Sequence, residues 1–275
     1  MPAVAGAGNG VTRVLATRVL AAAYACVAVV YLFMPFSGRA RLVFGHSVLL
    51  AAATAAAVAC LFAARRGRVG SRLAWYLFAG AAGTGVVAHA MWAYRQLVLE
   101  EPISFASSIF YVLLLFHPFF GAGAAVALRP ARGRETTNNI FIDGALIVTA
   151  ALLLVSRFVF EPLVANPATN GDVLVVNVLA QFGAVSSVLF AGLLVLWGDP
   201  VFPGRTVPAL AGTAAAFLTV TVLTATGADP TPVSPGDAFD LLWLTGWVLL
   251  ATAGLAAHRV PSDPMAEVAA DRIRR

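Results

Sequence analysis

Residues 42–63 read LVFGHSVLLAAATAAAVACLFA, an apolar stretch that contains no charged side chain. The polar stretch RRGRVGSR follows at 65–72, so the apolar residues end at a cluster of arginines. A bilayer core about 30 Å thick needs about 20 helical residues to cross it. The sequence therefore predicts a transmembrane helix here, and it raises the question of how often the pattern recurs.

The composition of the whole chain agrees with a membrane environment. Of its 275 residues 60% are hydrophobic and 11% are charged, whereas a soluble domain carries about a quarter charged residues. So few polar residues cannot cover the surface of a soluble fold, which excludes a cytosolic enzyme, a disordered chain and a nucleic-acid-binding protein. All 18 basic residues are arginines, so no lysine is present to form a Schiff base with retinal or pyridoxal.

Apolar runs of membrane-crossing length occur eight times along the chain. Turn-forming residues separate them, such as Ser37-Gly38, Glu101-Pro102 and the proline-rich stretch 229–235. The sequence predicts an all-α polytopic transmembrane bundle of eight helices that occupies 14–258. The predicted spans are 14–36, 42–63, 73–96, 105–128, 140–162, 173–197, 207–226 and 238–258.

The arginines predict the orientation of the bundle. Clusters at 65–72 and 129–134, with four arginines in 259–275, fall on the same side of the predicted membrane. Because arginine-rich segments stay in the cytoplasm, both termini are expected inside, with 1–13 as a cytoplasmic N-terminus and 259–275 as a cytoplasmic tail or the start of a linker. Arginine-rich chains without lysine are typical of GC-rich bacteria, so the expected location is the bacterial cytoplasmic (inner) membrane.

A weak internal repeat occurs at four-helix spacing. Pro102-Ile-Ser precedes the helix with Phe110-Tyr111, and Pro232-Val-Ser precedes the helix with Leu242-Trp243; both helices end in alanine-rich segments. Four helices return the chain to its starting side, so a duplication would give two parallel halves related by an axis along the membrane normal. A 4+4 parallel repeat is therefore a hypothesis for this bundle.

Polar residues in the second half of the chain predict a cluster that opens to the outer side. Charged residues within transmembrane helices are by default paired or functional. Arg157 and Glu161 are four residues apart and can pair on one helix face, and Asp240 is a second potential partner. Asn177 and Gln181 share the same spacing in the sixth span. Two interpretations remain open: salt bridges and hydrogen bonds that hold the bundle together, or a binding site for a periplasmic or membrane-borne small molecule.

Three histidines fall inside predicted spans: His46, His89 and His117, the last followed by Pro118. Three imidazoles could hold a metal or haem, yet no two of them lie at ligand spacing on one helix. Buried interhelical hydrogen bonds are the alternative, and neither a metal nor a cofactor is predicted. The five tryptophans fall toward span ends and are interpreted as membrane-interface residues: Trp75, Trp92, Trp197, Trp243 and Trp247.

Other patterns bear on enzymes and assembly. The chain contains no Gly-rich phosphate loop, no His-Glu-x-x-His and no Gly-x-Ser-x-Gly, so an intramembrane enzyme has no candidate catalytic residues. Helices rich in glycine and alanine, such as 80–85, allow close helix contacts. Such faces favour packing within the bundle first, and they also allow a homodimer.

Three stretches carry a resemblance to a known family. Residues 75–128 hold a tryptophan-bearing helix, the turn Glu101-Pro-Ile-Ser-Phe-Ala and then Phe110-Tyr111. The stretches Asp143-Gly-Ala-Leu-Ile-Val, and Asp240-Leu-Leu-Trp-Leu-Thr-Gly-Trp running to Ala256-Ala-His-Arg, follow. From about Trp75 to His258 the chain resembles the integral membrane sensory regions that precede GGDEF and EAL domains in bacterial cyclic-di-GMP signalling receptors. The resemblance implies a sensory module rather than an enzyme.

The sequence departs from that family in two places. The turn before the fourth span reads Phe105-Ala-Ser-Ser, where the family often has an acid. The residues after His258 are also too few for a cyclase, phosphodiesterase or kinase domain. We expect either a stand-alone relative or a chain whose output domain would begin beyond Arg275.

Three functions remain as hypotheses from the sequence. The first is a sensory or ligand-binding membrane module that passes an outer-side stimulus to a cytoplasmic signalling partner or output domain. The second is a small-molecule transporter or permease, with a polar path near His117. The third is a structural or cofactor-binding subunit of a membrane complex. The lipid bilayer is the one partner that all three require.

Overall fold

A computed structural model describes most of the chain. The described residues are 7–33, 37–67, 69–101, 103, 107–128, 142, 145–146, 149–150, 153, 156–157, 161–165, 171–197, 202, 205–226 and 240–257. Asp143, which opens the second stretch of the resemblance, most of the fifth predicted span (140–162) and the tail 259–275 lie outside these residues.

Within these ranges the structure is helical and contains no strand, and nine helices have described limits. Their limits follow the apolar runs, because a chain in lipid must satisfy its backbone hydrogen bonds within each segment. The helices are α1 (Ala7–Phe33), α2 (Gly38–Arg66), α3 (Val69–Leu97), α4 (Ser108–Leu114), α5 (Phe116–Leu128), α6 (Glu161–Ala165), α7 (Gly171–Trp197), α8 (Thr206–Thr226) and α9 (Asp240–Ala256).

Five helical segments are long and apolar enough to cross a membrane, so the all-helical, multi-pass part of the prediction is confirmed. They are Gly38–Arg66, Ser71–Leu97, Ser108–Leu128, Gly171–Leu196 and Thr206–Leu223. Two shorter apolar helices, Arg18–Phe33 and Asp240–Ala256, coincide with the first and last predicted spans. The count of eight spans stays a prediction, since the fifth is largely undescribed.

The fourth predicted span (105–128) is interrupted between α4 and α5. Helix α4 ends at Leu114, Leu115 forms a turn, and α5 begins at Phe116. Pro118 explains the break, because proline has no N–H to donate to the carbonyl of Leu114 and its ring crowds that carbonyl. The interruption lies two residues before His117.

One end of the bundle, here named the Glu100 end, is where α3 ends and α2, α4, α7 and α9 begin. Arg39 at the start of α2 donates from Nη2 to the carbonyl of Leu97 at 3.0 Å, which caps the last turn of α3. Arg39 also pairs with Glu100 at 3.4 Å, and Arg95 pairs with Glu101 at 2.9 Å. The opposite end, named the Arg66 end, carries Arg65, Arg66, Arg72 and Arg205.

The core is enclosed by helices α2, α3, α5, α7, α8 and α9. Among the described helices, α1 has its one substantial contact with α9. Two tyrosines attach α1 to α9: Tyr24 Oη lies 2.7 Å from Thr245 Oγ1, and Tyr31 donates to Asp240 Oδ2 at 3.4 Å. Most other described side chains of α1 are exposed or partly exposed, as expected for a helix whose outer face meets lipid.

The interpretation of the tryptophans as interface residues is wrong for three of them. Trp75, Trp92 and Trp247 are 1%, 2% and 0% exposed and belong to the interior. Trp243 is partly buried against the same core, and the side chain of Trp197 lies outside the described part. These large rings fill the interior of the bundle. Their burial there contributes more to stability than a position at the membrane surface would.

Glycines allow the closest helix contacts. A Cβ at Gly85 of α3 would lie 2.3 Å from Cη2 of Trp247, and a Cβ at Gly254 of α9 would lie 2.8 Å from the backbone carbon of Ala59 in α2. Any larger residue would separate these helices. The two glycines therefore fix how α9 sits between α2 and α3, and with it the position of Trp247.

Candidate functional site

A cavity lies where α4, α5, α7, α8 and α9 meet, nearer the Glu100 end. Its volume is about 50 Å³, several times the space that one buried water needs. The cavity is not fully enclosed. The lining residues are Phe110, Leu113, Leu114, Phe116, His117, Val176, Asn177, Ala180, Phe217, Val220, Thr221, Trp243 and Trp247. No described lining residue is charged, so the cavity favours a neutral occupant.

Aromatic rings form one wall of the cavity. Phe116 contacts Phe217 with ring centroids 4.6 Å apart and Trp247 with centroids 5.6 Å apart, and Phe217 lies 4.8 Å from Trp247. These edge-to-face contacts join α5, α8 and α9, and aromatic pairs of this kind contribute about 1 kcal/mol each beyond buried area. The wall is thus held rigidly by three helices.

His117 is the titratable residue in the cavity lining. Its Nδ1 lies 3.1 Å from the Ser187 hydroxyl oxygen, and that hydroxyl donates to the carbonyl of Gly183 at 2.9 Å. A serine hydroxyl has one proton, so Ser187 accepts from His117, and the neutral imidazole carries its proton on Nδ1. Gly183 provides the room, because a Cβ there would lie 2.7 Å from the Cβ of His117.

The predicted pair Asn177 and Gln181 is buried on α7. Asn177 is 6% exposed, lines the cavity and donates from Nδ2 to the carbonyl of Val173 at 2.9 Å. Gln181 is fully buried and donates from Nε2 to the carbonyl of Thr221 on α8 at 2.7 Å. Its Oε1 has no hydrogen-bond partner within the described ranges. Asn177 therefore faces the cavity, and Gln181 links α7 to α8 beside it.

Arg157, Glu161 and Asp240 do not line this cavity among the residues that the structure describes. Arg157 and Glu161 form the predicted ion pair, with side chains 69% and 58% exposed. Asp240 is 4% exposed and accepts a hydrogen bond from Tyr31. The predicted polar cluster is thus distributed over three places, of which only the Asn177 position opens into the cavity.

His46 and His89 form a second polar group with Trp92, between α2, α3 and α9. His46 Nε2 lies 2.8 Å from Gln96 Oε1, and Trp247 donates from Nε1 to His89 Nε2 at 3.2 Å. The His89 ring stacks on Trp92, with centroids 6.3 Å apart, and His46 meets the edge of that ring at 6.1 Å. Each of the three histidines therefore makes an interhelical hydrogen bond.

Three buried atoms in this group have no hydrogen-bond partner among the described residues: His46 Nδ1, His89 Nδ1 and Trp92 Nε1. The bonds above assign their roles, because Gln96 Oε1 must accept from His46 and His89 Nε2 must accept from Trp247. His46 Nδ1 is then an acceptor, whereas His89 Nδ1 and Trp92 Nε1 are donors. The described ranges contain no group of three or more metal-ligating side chains.

Trp247 connects the two groups of residues. Its ring lines the cavity, and its indole N–H binds His89 on the other side. The sequence analysis did not identify the cavity wall of Phe116, Phe217 and Trp247, because single aromatic residues in apolar helices show no distinctive pattern. The signal that the sequence does contain is His117-Pro118, which breaks the helix at the cavity.

Comparison of the chain with protein-family models, curated proteins and solved structures found no match.

Proposed function

We propose that the chain is a membrane-embedded sensory module that binds a small molecule in the cavity between α4, α5, α7, α8 and α9. The observation that carries this proposal is the cavity itself, with an aromatic wall and the polar side chains of His117 and Asn177. Binding sites for small molecules are typically apolar and aromatic, with a few placed polar groups that fix orientation. The resemblance to sensory regions of cyclic-di-GMP receptors agrees with this role.

Helix α9 is the element that would relay occupancy of the cavity. It supplies Trp243 and Trp247 to the lining, and it ends at Ala256 just before the predicted tail 259–275. A ligand that binds one arrangement of these rings better than another shifts the population of helix positions. The same helix contacts α2 closely at Gly254, so movement at the cavity transmits to the Arg66 end.

The orientation and repeat of the bundle belong to this proposal. We assign the Glu100 end to the outer side of a bacterial cytoplasmic membrane, because Arg65, Arg66, Arg72 and Arg205 lie at the other end. This assignment puts the cavity within reach of periplasmic or membrane-borne molecules. The cytoplasmic signalling partner and a homodimer are further parts of the proposal, as both are common ways for sensory modules to transmit a signal.

Helix packing supports the 4+4 parallel repeat. In such a repeat each predicted span corresponds to the span four later. The α2–α3 contact then corresponds to α7–α8, the α3–α5 contact to α8–α9, and the α2–α9 contact to α5–α7. The structure contains all six contacts. Two glycine contacts also correspond. A Cβ at Gly80 would lie 3.1 Å from Phe119, and a Cβ at Gly212 would lie 2.9 Å from Leu249.

A transporter is the second candidate function, favoured by the break in the helix at Leu115 beside His117. Interrupted helices at a binding site are typical of secondary transporters. Flux of a bound compound into proteoliposomes would identify a transporter, whereas binding without flux is the result expected for a sensor.

Binding to purified protein tests the proposal. The chain in lipid nanodiscs is screened by thermal shift against neutral metabolites, aromatic compounds, quinones and organic acids. Ala180→Phe fills the cavity, and Leu179→Phe places the same ring on the exposed face of α7, where Leu179 is 48% exposed. A compound that stabilises the wild type and Leu179→Phe but not Ala180→Phe supports the cavity. Compounds that bind both variants equally, or no compound at all, would contradict it.

A further inference from the structure

We infer that the cavity selects a neutral aromatic molecule that carries a hydrogen-bond donor, such as the hydroxyl of a phenol or hydroquinone or the N–H of an indole. The inference rests on the proposed ligand-binding function and names the class of ligand. It is carried by the hydrogen bonds that His117 and Asn177 already make, since these fix which atoms remain for a ligand.

His117 offers an acceptor. Its Nδ1–H is committed to Ser187, whose own proton goes to the carbonyl of Gly183. In a neutral imidazole with its proton on Nδ1, Nε2 has a lone pair and no hydrogen. The ring is 9% exposed and lines the cavity, so its remaining nitrogen can accept a hydrogen bond from a ligand and cannot donate one.

Asn177 offers a second acceptor. Its Nδ2 donates one hydrogen to the carbonyl of Val173 one turn earlier in α7, which leaves the amide oxygen Oδ1 as an acceptor and the second amide hydrogen as a donor. The two residues lie on α5 and α7, and both belong to the same lining. A ligand that donates satisfies Nε2 of His117 or Oδ1 of Asn177. A ligand with acceptors alone has only the second amide hydrogen of Asn177 to bind, and it leaves Nε2 of His117 without a partner.

The remaining walls decide charge and shape. Five aromatic side chains line the cavity, from Phe110, Phe116, Phe217, Trp243 and Trp247, and no described lining residue is charged. A carboxylate would lose its hydration without gaining a cation. A flat ring, in contrast, stacks against these side chains or meets their edges. The cavity volume, about 50 Å³, is smaller than the roughly 150 Å³ of an apolar cavity that holds benzene, so a ring enters only with part of it in the open mouth or with a shift of the lining side chains.

Matched probe pairs test this selectivity. Indole and 1-methylindole differ in the donor N–H, phenol and anisole differ in the donor O–H, and benzoate supplies the charged comparison. Each is titrated by calorimetry against the full chain in nanodiscs, with Asn177→Leu to remove one acceptor at similar volume. Val178→Leu, at an exposed position of α7, is the control. The probe pairs on the wild type test the inference even if Asn177→Leu does not fold.

The expected result is that indole and phenol bind at least about tenfold more tightly than their methylated partners, and that Asn177→Leu reduces this ratio while Val178→Leu preserves it. Equal binding within each pair, or tighter binding of benzoate, overturns the donor inference and leaves the ligand-binding function standing. If neither these probes nor the broad screen yields a compound sensitive to Ala180→Phe, both the inference and the proposed function fail.

Discussion

His117 on α5 and Ser187 on α7 are joined by a hydrogen bond of 3.1 Å between Nδ1 and Oγ. The bond links the helix that Pro118 interrupts to the one that carries Asn177, and it fixes the protonated nitrogen of the imidazole. The Ser187 side chain is 1% exposed, so its hydroxyl lies in the interior beside the cavity. The geometry of the cavity and the stability of the bundle therefore depend on the same contact.

Replacing Ser187 by alanine should destabilise the protein. The change leaves Nδ1–H of His117 buried without a partner, and a loss of about 1–2 kcal/mol in the free energy of unfolding is expected. Ser186→Ala is the control, because among the described residues the Ser186 hydroxyl bonds to the Phe182 carbonyl of its own helix. Its loss should change stability by less than about 0.5 kcal/mol. Unfolding in detergent, followed by circular dichroism, measures both. Equal midpoints for the two variants would mean that the interhelical bond contributes nothing.

Trp247→Phe should destabilise the bundle more than Trp243→Phe. Both changes remove an indole from the cavity wall, but only Trp247 donates to His89 in the described structure. The lost bond leaves a buried imidazole nitrogen without its donor, at an expected difference of about 1 kcal/mol between the variants. Thermal unfolding of the two proteins in the same detergent measures this difference. A larger loss for Trp243→Phe would contradict the assigned role of Trp247.

Gly254→Ala should separate α9 from α2. The new methyl group would lie 2.8 Å from the backbone carbon of Ala59, and a backbone atom cannot rotate away, so a loss of about 1–3 kcal/mol is expected. Gly192→Ala is the matched control, since nothing lies within 4 Å of a Cβ at that position. That variant should be neutral or more stable, by up to about 1 kcal/mol, because alanine favours helix. The melting temperatures of both variants test this prediction. A Gly254→Ala variant as stable as the wild type would show that the close crossing of α9 and α2 is not required for stability.

The proposed orientation predicts which ends react with a membrane-impermeant maleimide. Cysteines are introduced singly at Val98, at the Glu100 end, and at Arg205, at the Arg66 end, after Cys26 and Cys60 have been changed to serine. In intact bacterial cells Val98→Cys should be labelled, and Arg205→Cys should be labelled only after the membrane is opened, because arginine-rich ends stay in the cytoplasm. The opposite pattern would invert the bundle and remove the cavity from the outer half.

Local patterns in the sequence predicted much of the fold. Apolar runs of about 20 residues predicted helices that the structure contains at 38–66, 71–97, 108–128, 171–196 and 206–223, because bilayer thickness sets helix length. The Arg157–Glu161 pair was predicted from four-residue spacing, since residues on one helix turn meet whatever the tertiary arrangement. Pro118 likewise marks the break at Leu115 by a local steric effect.

Contacts between distant parts of the chain could not be predicted in this way. These helices carry apolar residues on nearly every face, so hydrophobic periodicity does not show which face turns inward. For this reason three buried tryptophans were assigned to the membrane surface. Asp240 accepts a hydrogen bond from Tyr31, and His89 accepts one from Trp247, and each pair is separated by most of the length of the chain. The sequence by itself determined a multi-pass helical protein, because helix formation in lipid depends on neighbours along the chain. The tertiary structure alone decided the cavity, because its walls come from five helices whose rotation is set by packing.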